Sequence, residues 1–189
     1  MLDFGAVVCI VSFMSTTDLP KVPALRLARL GSVSSGTLRT PDLLNAFADT
    51  LEGLVLINGD FLCLPENRAM RDRLNDLIGE VSDCLDDSGE EVAEGKDEEA
   101  GWLVENLIDS LNIFAAPFCF FGAHEGDGSD FGFWPSIDAA KENCEFISSR
   151  SAEFPPDEFE GEWLHVNERG NCTLYVRTNG EDKEVWSIV

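Results

Sequence analysis

Apolar residues at helical spacing dominate the first half of the chain. In GTLRTPDLLNAFADTLEGL, beginning at Gly36, Leu43, Leu44, Phe47, Leu51 and Leu54 fall on one face of a helix. Thr40 is the expected N-cap, Pro41 suits the first helical position, and Asp42 favours the positive helix end. Gly53 and the Asn58-Gly59 pair mark its end and a turn. A second helix is expected from Glu66 to about Leu85, with Met70, Leu74, Leu77, Ile78 and Val81 inward. A third should run from Asp97 to Phe114, burying Trp102, Leu103, Leu107, Ile108 and Leu111. Between these two lies DDSGEEVAEGKDEEA, residues 86–100, which reads as a solvated loop or linker.

After Ala116 the period changes. Two aromatic runs, Phe118–Phe121 and Phe131–Trp134, flank a Gly/Asp-rich loop and predict a hairpin. Ser136 is placed to cap a short helix over Ile137–Ile147. Trp163–Asn167, Cys172–Thr178 and Glu184–Val189 read as strands, joined by Arg169-Gly170-Asn171 and Asn179-Gly180. The expected fold class is α+β, as one domain: a mainly helical region, residues 1–115, with its acidic loop at 86–100, then an antiparallel β-meander region, residues 116–189. The opening apolar run Phe4–Met14 has no basic residue before it, is broken by Gly5 and Ser12, and is too short to span a membrane. It reads as a buried strand, or as residues upstream of a start at Met14.

Composition sharpens this picture. With 44% apolar residues, the 189-residue chain has the means to bury a core. Thirteen Lys and Arg against 36 Asp and Glu give a net charge of −23. Solubility alone needs only about 2–8. Such a surface repels nucleic acid and anionic membranes and attracts basic protein surfaces. The six cysteines, Cys9, Cys63, Cys84, Cys119, Cys144 and Cys172, have no CxxC spacing and read as reduced, buried thiols of a cytoplasmic protein.

Enzyme motifs are sparse. GxGxxG, GxxxxGK[ST] and GxSxG do not occur, and His124 and His165 are the only histidines. No cofactor is expected. The best local chemistry is Gly122–Asp130, where His124, Glu125, Asp127 and Asp130 supply ligands for a divalent cation or an acid–base pair in a small metal-dependent hydrolase. The alternative is a hairpin turn whose Asp residues bond to nearby backbone. A Cys119–His124 nucleophile pair is a further option, opposed by the negative field, which raises thiol pKa values. Phe131, Phe133, Trp134 and Trp163 allow another class, an assembly module packing these rings in a dimer.

The acids themselves make the other motif. Asp72, Asp76, Glu80, Asp83 and Asp87 recur three or four apart, and Glu98, Glu105 and Asp109 follow more loosely, so helices here offer rows of carboxylates. Duplex DNA carries one negative charge per about 1.7 Å, so 23 charges in line imitate at most roughly 39 Å. The expected contact set is Asp76, Glu80, Asp83, Asp86, Asp87, Glu90, Glu91, Glu94, Asp97, Glu98 and Glu99, facing a basic nucleic-acid-binding protein or complex. The bland alternative is the solvent side of amphipathic helices.

Two segments carry a resemblance: FGAHEGDGSDFGFWP at Phe121–Pro135 and VNERGNCTLYVRTNGEDKEVWSIV at Val166–Val189. With GTLRTPDLLNAF, the chain resembles acidic proteins of phages, plasmids and other mobile elements that have no established activity. The resemblance implies a setting, among factors that counter restriction and CRISPR complexes, and no residue roles. The leading expectation is a non-enzymatic inhibitor of such a complex.

Overall fold

The amphipathic stripes of the first half become helices packed on a small sheet. The computed structural model describes residues 25–149 and 153–188; the opening run, Cys9 and Val189 lie outside them. The helical stripe from Thr40 gives α1 (Thr40–Ile57), whose Leu43, Leu44, Phe47, Leu51 and Leu54 are all buried. A four-residue helix, α2 (Gly59–Leu62), and a 3-10 turn at Pro65–Asn67 lead into α3 (Arg68–Cys84). The third long helix, α4 (Asp97–Asn112), packs against α1 and α3.

Three helix details differ from the sequence reading. Residue Arg39, not Thr40, occupies the N-cap of α1, without a side-chain cap; Thr37 Oγ1 instead donates to Asp42 Oδ2 at 2.6 Å. The helix runs through Gly53 and ends at Asn58, whose Nδ2 donates back to the Leu54 carbonyl. Trp102 is 54% exposed, because the stripe of α4 passes through Ala100, Leu103, Leu107, Ser110 and Leu111, one position to its side.

The hairpin is present and longer than its aromatic runs. Strands β2 (Cys119–His124) and β3 (Asp127–Pro135) pair antiparallel, and β1 (Gly31–Ser34) adds on the far side of β3. The sequence reading has no strand at β1, where GSVS offers one apolar residue and no period. A side chain at Gly132 would stand 2.2 Å from the Gly31 carbonyl oxygen, so β1 approaches β3 this closely only because position 132 carries none. Phe47 of α1 meets this sheet edge-on, with ring centroids 4.9 Å from Phe121 and 5.4 Å from Phe131. Asn112 fastens the end of α4 to β2, accepting from Phe121 N and donating to Phe121 O.

The second sheet has the order β4-β5-β6-β7, from β4 (Phe146–Ser148), β5 (Gly161–Val166), β6 (Cys172–Thr178) and β7 (Glu181–Ile188). Its last three strands are the expected meander, and the β6–β7 turn takes φ +54° at Asn179 and +77° at Gly180, as an Asn-Gly hairpin requires. Residue Ser136 caps α5 (Ile137–Asn143) by accepting from Ala139 N. That helix stops at Asn143, and Phe146 and Ile147, expected to be its last residues, lie in β4, which pairs parallel with β5. A short apolar run does not by itself distinguish helix from buried strand. Leu164, Leu174 and Trp186 of this sheet share a core with Ala116 and Ala140, and Leu30 packs against both cores. The fold is α+β, with helices mainly N-terminal and strands mainly C-terminal. No helix among the described residues is long and apolar enough to cross a membrane.

Candidate functional site: an acidic face and a hairpin tip

All eleven acids of the expected contact set are exposed. Asp76, Glu80 and Asp83 lie on α3, Asp86 to Glu94 on the loop, and Asp97, Glu98 and Glu99 in the first turn of α4. Over residues 76–99 Lys96 is the only Lys or Arg, so eleven acids leave a net −10. The helices put these acids outward for a simple reason: Leu74, Leu77, Val81, Ala100 and Leu103 take the inner positions. Glu105 and Asp109 continue the exposed acids along α4, with Trp102 among them.

The loop between α3 and α4 is solvated, as its composition suggests, and is also held by hydrogen bonds. Leu85 and Val92 form an antiparallel bridge, and Ala93 N donates to the Cys84 carbonyl at 3.0 Å. The Asp86 carboxylate accepts from Ser88 Oγ and from the Glu90 and Glu91 amides. These bonds, the Ser88 hydroxyl first, hold its pKa below the ordinary 3.8. The loop is pinned from outside by α1 and the residue before it. Asn45 Nδ2 donates to the Gly89 carbonyl at 2.8 Å, and Arg39 Nη2 to the Glu90 carbonyl and the Glu91 carboxylate. Lys96 Nζ donates to the Asp83 carbonyl at 2.7 Å, so the one cation of this stretch ties the end of α3 to the start of α4. Each pin directs a cation or amide mostly at backbone oxygen, which leaves most of the carboxylates facing water.

The Gly122–Asp130 segment is a hairpin whose tip is Glu125-Gly126. His124 Nδ1 accepts from Gly126 N at 3.0 Å, and its ring stands edge-on to Trp134, 4.7 Å between centroids. Asp127 accepts from the amide and hydroxyl of Ser129, amide first, which lowers its pKa. Asp130 turns the other way, to Ser32 Oγ on β1. Glu125 is exposed at the tip. The four residues are neighbours in sequence but do not converge, and among the described residues no three His, Cys, Asp or Glu side chains are gathered to hold a metal ion.

The other candidates resolve in the same way. Cys119 and His124 sit at opposite ends of β2, and burial pushes the Cys119 thiol up to about 12, away from a nucleophile. Of the described cysteines all are free thiols, but only Cys84 and Cys172 are buried; Cys119 and Cys144 are half-buried and Cys63 is exposed. Phe133 and Trp163 are 2% exposed inside their own cores, Phe131 packs on Phe47, and Trp134 donates Nε1 to the Gly122 carbonyl, so these rings are occupied within one chain.

Sequence reasoning missed the clamp at Arg177. Its guanidinium takes both Asp182 oxygens, at 2.8 and 2.7 Å, and donates to the Pro155 and Pro156 carbonyls. Asp182, held below its ordinary pKa chiefly by Arg177, also accepts from Trp163 Nε1. No spacing in the sequence announces a bond from one hairpin strand to its neighbour and to a loop twenty residues earlier. Its bonds tie the Pro155–Pro156 segment to β6 and β7.

Comparison with protein-family models, with curated proteins and with solved structures finds no match.

Proposed function

We propose that this protein is a non-enzymatic, acidic binding protein of a mobile element, acting in the host cytoplasm. Its target is a basic nucleic-acid-binding complex, with a CRISPR effector or restriction enzyme as the class. The carboxylates of residues 76–99 stand in the target's Lys/Arg groove in place of phosphates. The observation that supports this most is the pairing of density with order: eleven exposed acids, one Lys, and a loop pinned at Arg39, Asn45 and Lys96. Ordered charges need less conformational entropy to be lost on binding than the same charges on a floppy chain. Phosphate-like binding is salt-dependent, since counterions are released from both surfaces.

The test is capture of host complexes by the immobilised protein at about 50 mM and about 500 mM salt, with nucleic acid measured in each captured complex. The proposal expects a basic complex retained at low salt, stripped of its DNA or RNA, and released at high salt. Capture that keeps its nucleic acid, or that ignores salt, contradicts competition with phosphates.

A further inference from the structure

A cleft of about 1060 Å³ is lined neither by the acidic loop nor by the hairpin tip; it runs between residues 25–30 and β7. Every residue from Leu25 to Leu30 lines it, and every residue from Lys183 to Ser187. Alternate residues of a strand point to opposite faces. A groove touched by five consecutive strand residues therefore follows the edge of β7 and not one face of it. β7 is the last strand of its sheet, and among the described residues it makes backbone hydrogen bonds to β6 alone.

The opposite wall has the same property. Arg26 N donates to Asn58 Oδ1, its carbonyl accepts from Asn58 Nδ2, and Ala28 N donates to the Phe114 carbonyl. Among the described residues the peptide groups of Leu27 and Arg29 make no hydrogen bond. That alternation is the pattern of an extended chain bonded along one side only, and the whole of residues 25–30 lines the cleft. Two unpaired chain edges thus face one cleft, with Ala116, Pro117 and Ile57 among its apolar lining.

Its charge is opposite to the rest of the molecule. Arg26, Arg29 and Lys183 line the cleft, exposed and without an ion pair among the described residues, against Asp60 and Glu184. The lining is net +1 in a chain of net −23.

We infer that this cleft binds an extended peptide of alternating apolar and acidic residues, which adds as a strand to the open edge of β7. Strand addition takes its affinity from main-chain bonds and its selectivity from alternate side chains. Apolar side chains enter between Ala116 and Pro117, and carboxylates face Arg26, Arg29 and Lys183. An inserted strand bonded on both sides joins the second sheet to the segment that leads into β1. The site is separate from the acidic face, and its occupant has the opposite charge from the target proposed there.

The probe is the blocked hexapeptide Val-Glu-Val-Glu-Val-Glu, added to the full-length, isotopically labelled chain and followed by amide exchange. Expected are at least tenfold slower exchange at Leu27, Arg29 and the outward amides of β7, and no such effect from Val-Lys-Val-Lys-Val-Lys. Arg29→Glu combined with Lys183→Glu, both at exposed positions, should reverse the preference between the two peptides. The proposal is overturned if the acidic peptide protects none of these amides, or if both peptides act alike. It is also overturned if the amides are already protected in the free chain, which would mean that the chain itself or a second copy fills the cleft.

Discussion

Two loops of this protein are written in almost the same vocabulary and behave differently. Residues 86–96 and 124–130 are both rich in Asp, Glu and Gly, and in both an Asp carboxylate captures nearby amides and a hydroxyl. The first bridges two helices and is held from outside by Arg39 and Asn45. The second is the tip of a hairpin, held by its own strands and by Asp130 on Ser32. Composition favours the second as the site, since it alone has a histidine. Position favours the first, because its acids continue those of the two flanking helices, whereas the hairpin's ligands diverge.

The two loops can be separated by experiment, beginning with the ground each rests on. Phe47 lies directly behind the hairpin, against Phe121 and Phe131, and is fully buried. Phe47→Ala should cost about 3–5 kcal/mol in denaturant unfolding. Amide exchange in the variant should loosen the hairpin more than the 86–96 loop; equal loosening would mean that the two loops share one support. Asn45→Ala removes the Gly89 bond and leaves a loop carbonyl unpaired. It should cost about 1 kcal/mol, with faster exchange confined to residues 86–92. Unchanged exchange there would show that the loop holds itself without α1.

The smallest effect is in acid. Asp86 and Asp127 both have pKa values below 3.8 in the folded state. Their contributions are therefore complete above the unfolded value and fade as pH falls through the folded one. General protonation also relieves the repulsion of −23 charges, so each variant must be read against the wild type. The thermal-midpoint gap between wild type and Asp86→Asn should hold above roughly pH 5 and close as pH falls below the ordinary carboxylate value of about 3.8. For Asp127→Asn the same closure should be smaller, since Asp127 holds Ser129 alone. A gap independent of pH would mean that the Asp86 carboxylate acts by shape and not by charge.

What the sequence made legible follows from how local each cause is. Leu43 to Leu54 on α1, and Leu103, Leu107 and Leu111 on α4, are readable because helical period and burial share one stripe. The Asn179-Gly180 turn is readable because positive φ at two successive residues selects those types. The short strands β1 and β4 were not, since three or four residues carry no period and their partners lie at Gly132 and Trp163, far along the chain. Trp102 misleads because an apolar side chain need not be buried: small Ala100 and Ser110 hold inner positions of α4. At the acidic face the residues and their exposure were legible. The order of the loop was not, because Arg39 and Asn45 act across about fifty residues. The divergence of His124, Asp127 and Asp130 was hidden too, since adjacent positions in a strand point to opposite faces.

One measurement bears most directly on the claim that location, and not total charge, gives the acids their role. Four acids are reversed on the face (Glu80, Asp87, Glu90 and Glu98 to Lys), and four elsewhere (Asp157, Glu158, Glu160 and Glu168 to Lys), so that net charge changes equally. Capture of the low-salt complex is then titrated for both proteins. The account predicts a loss of about 100-fold or more for the face variant, which turns four phosphate-like contacts into repulsions, and less than about threefold for the other. Equal losses would contradict it, leaving the acidity of the chain as a property of its whole surface.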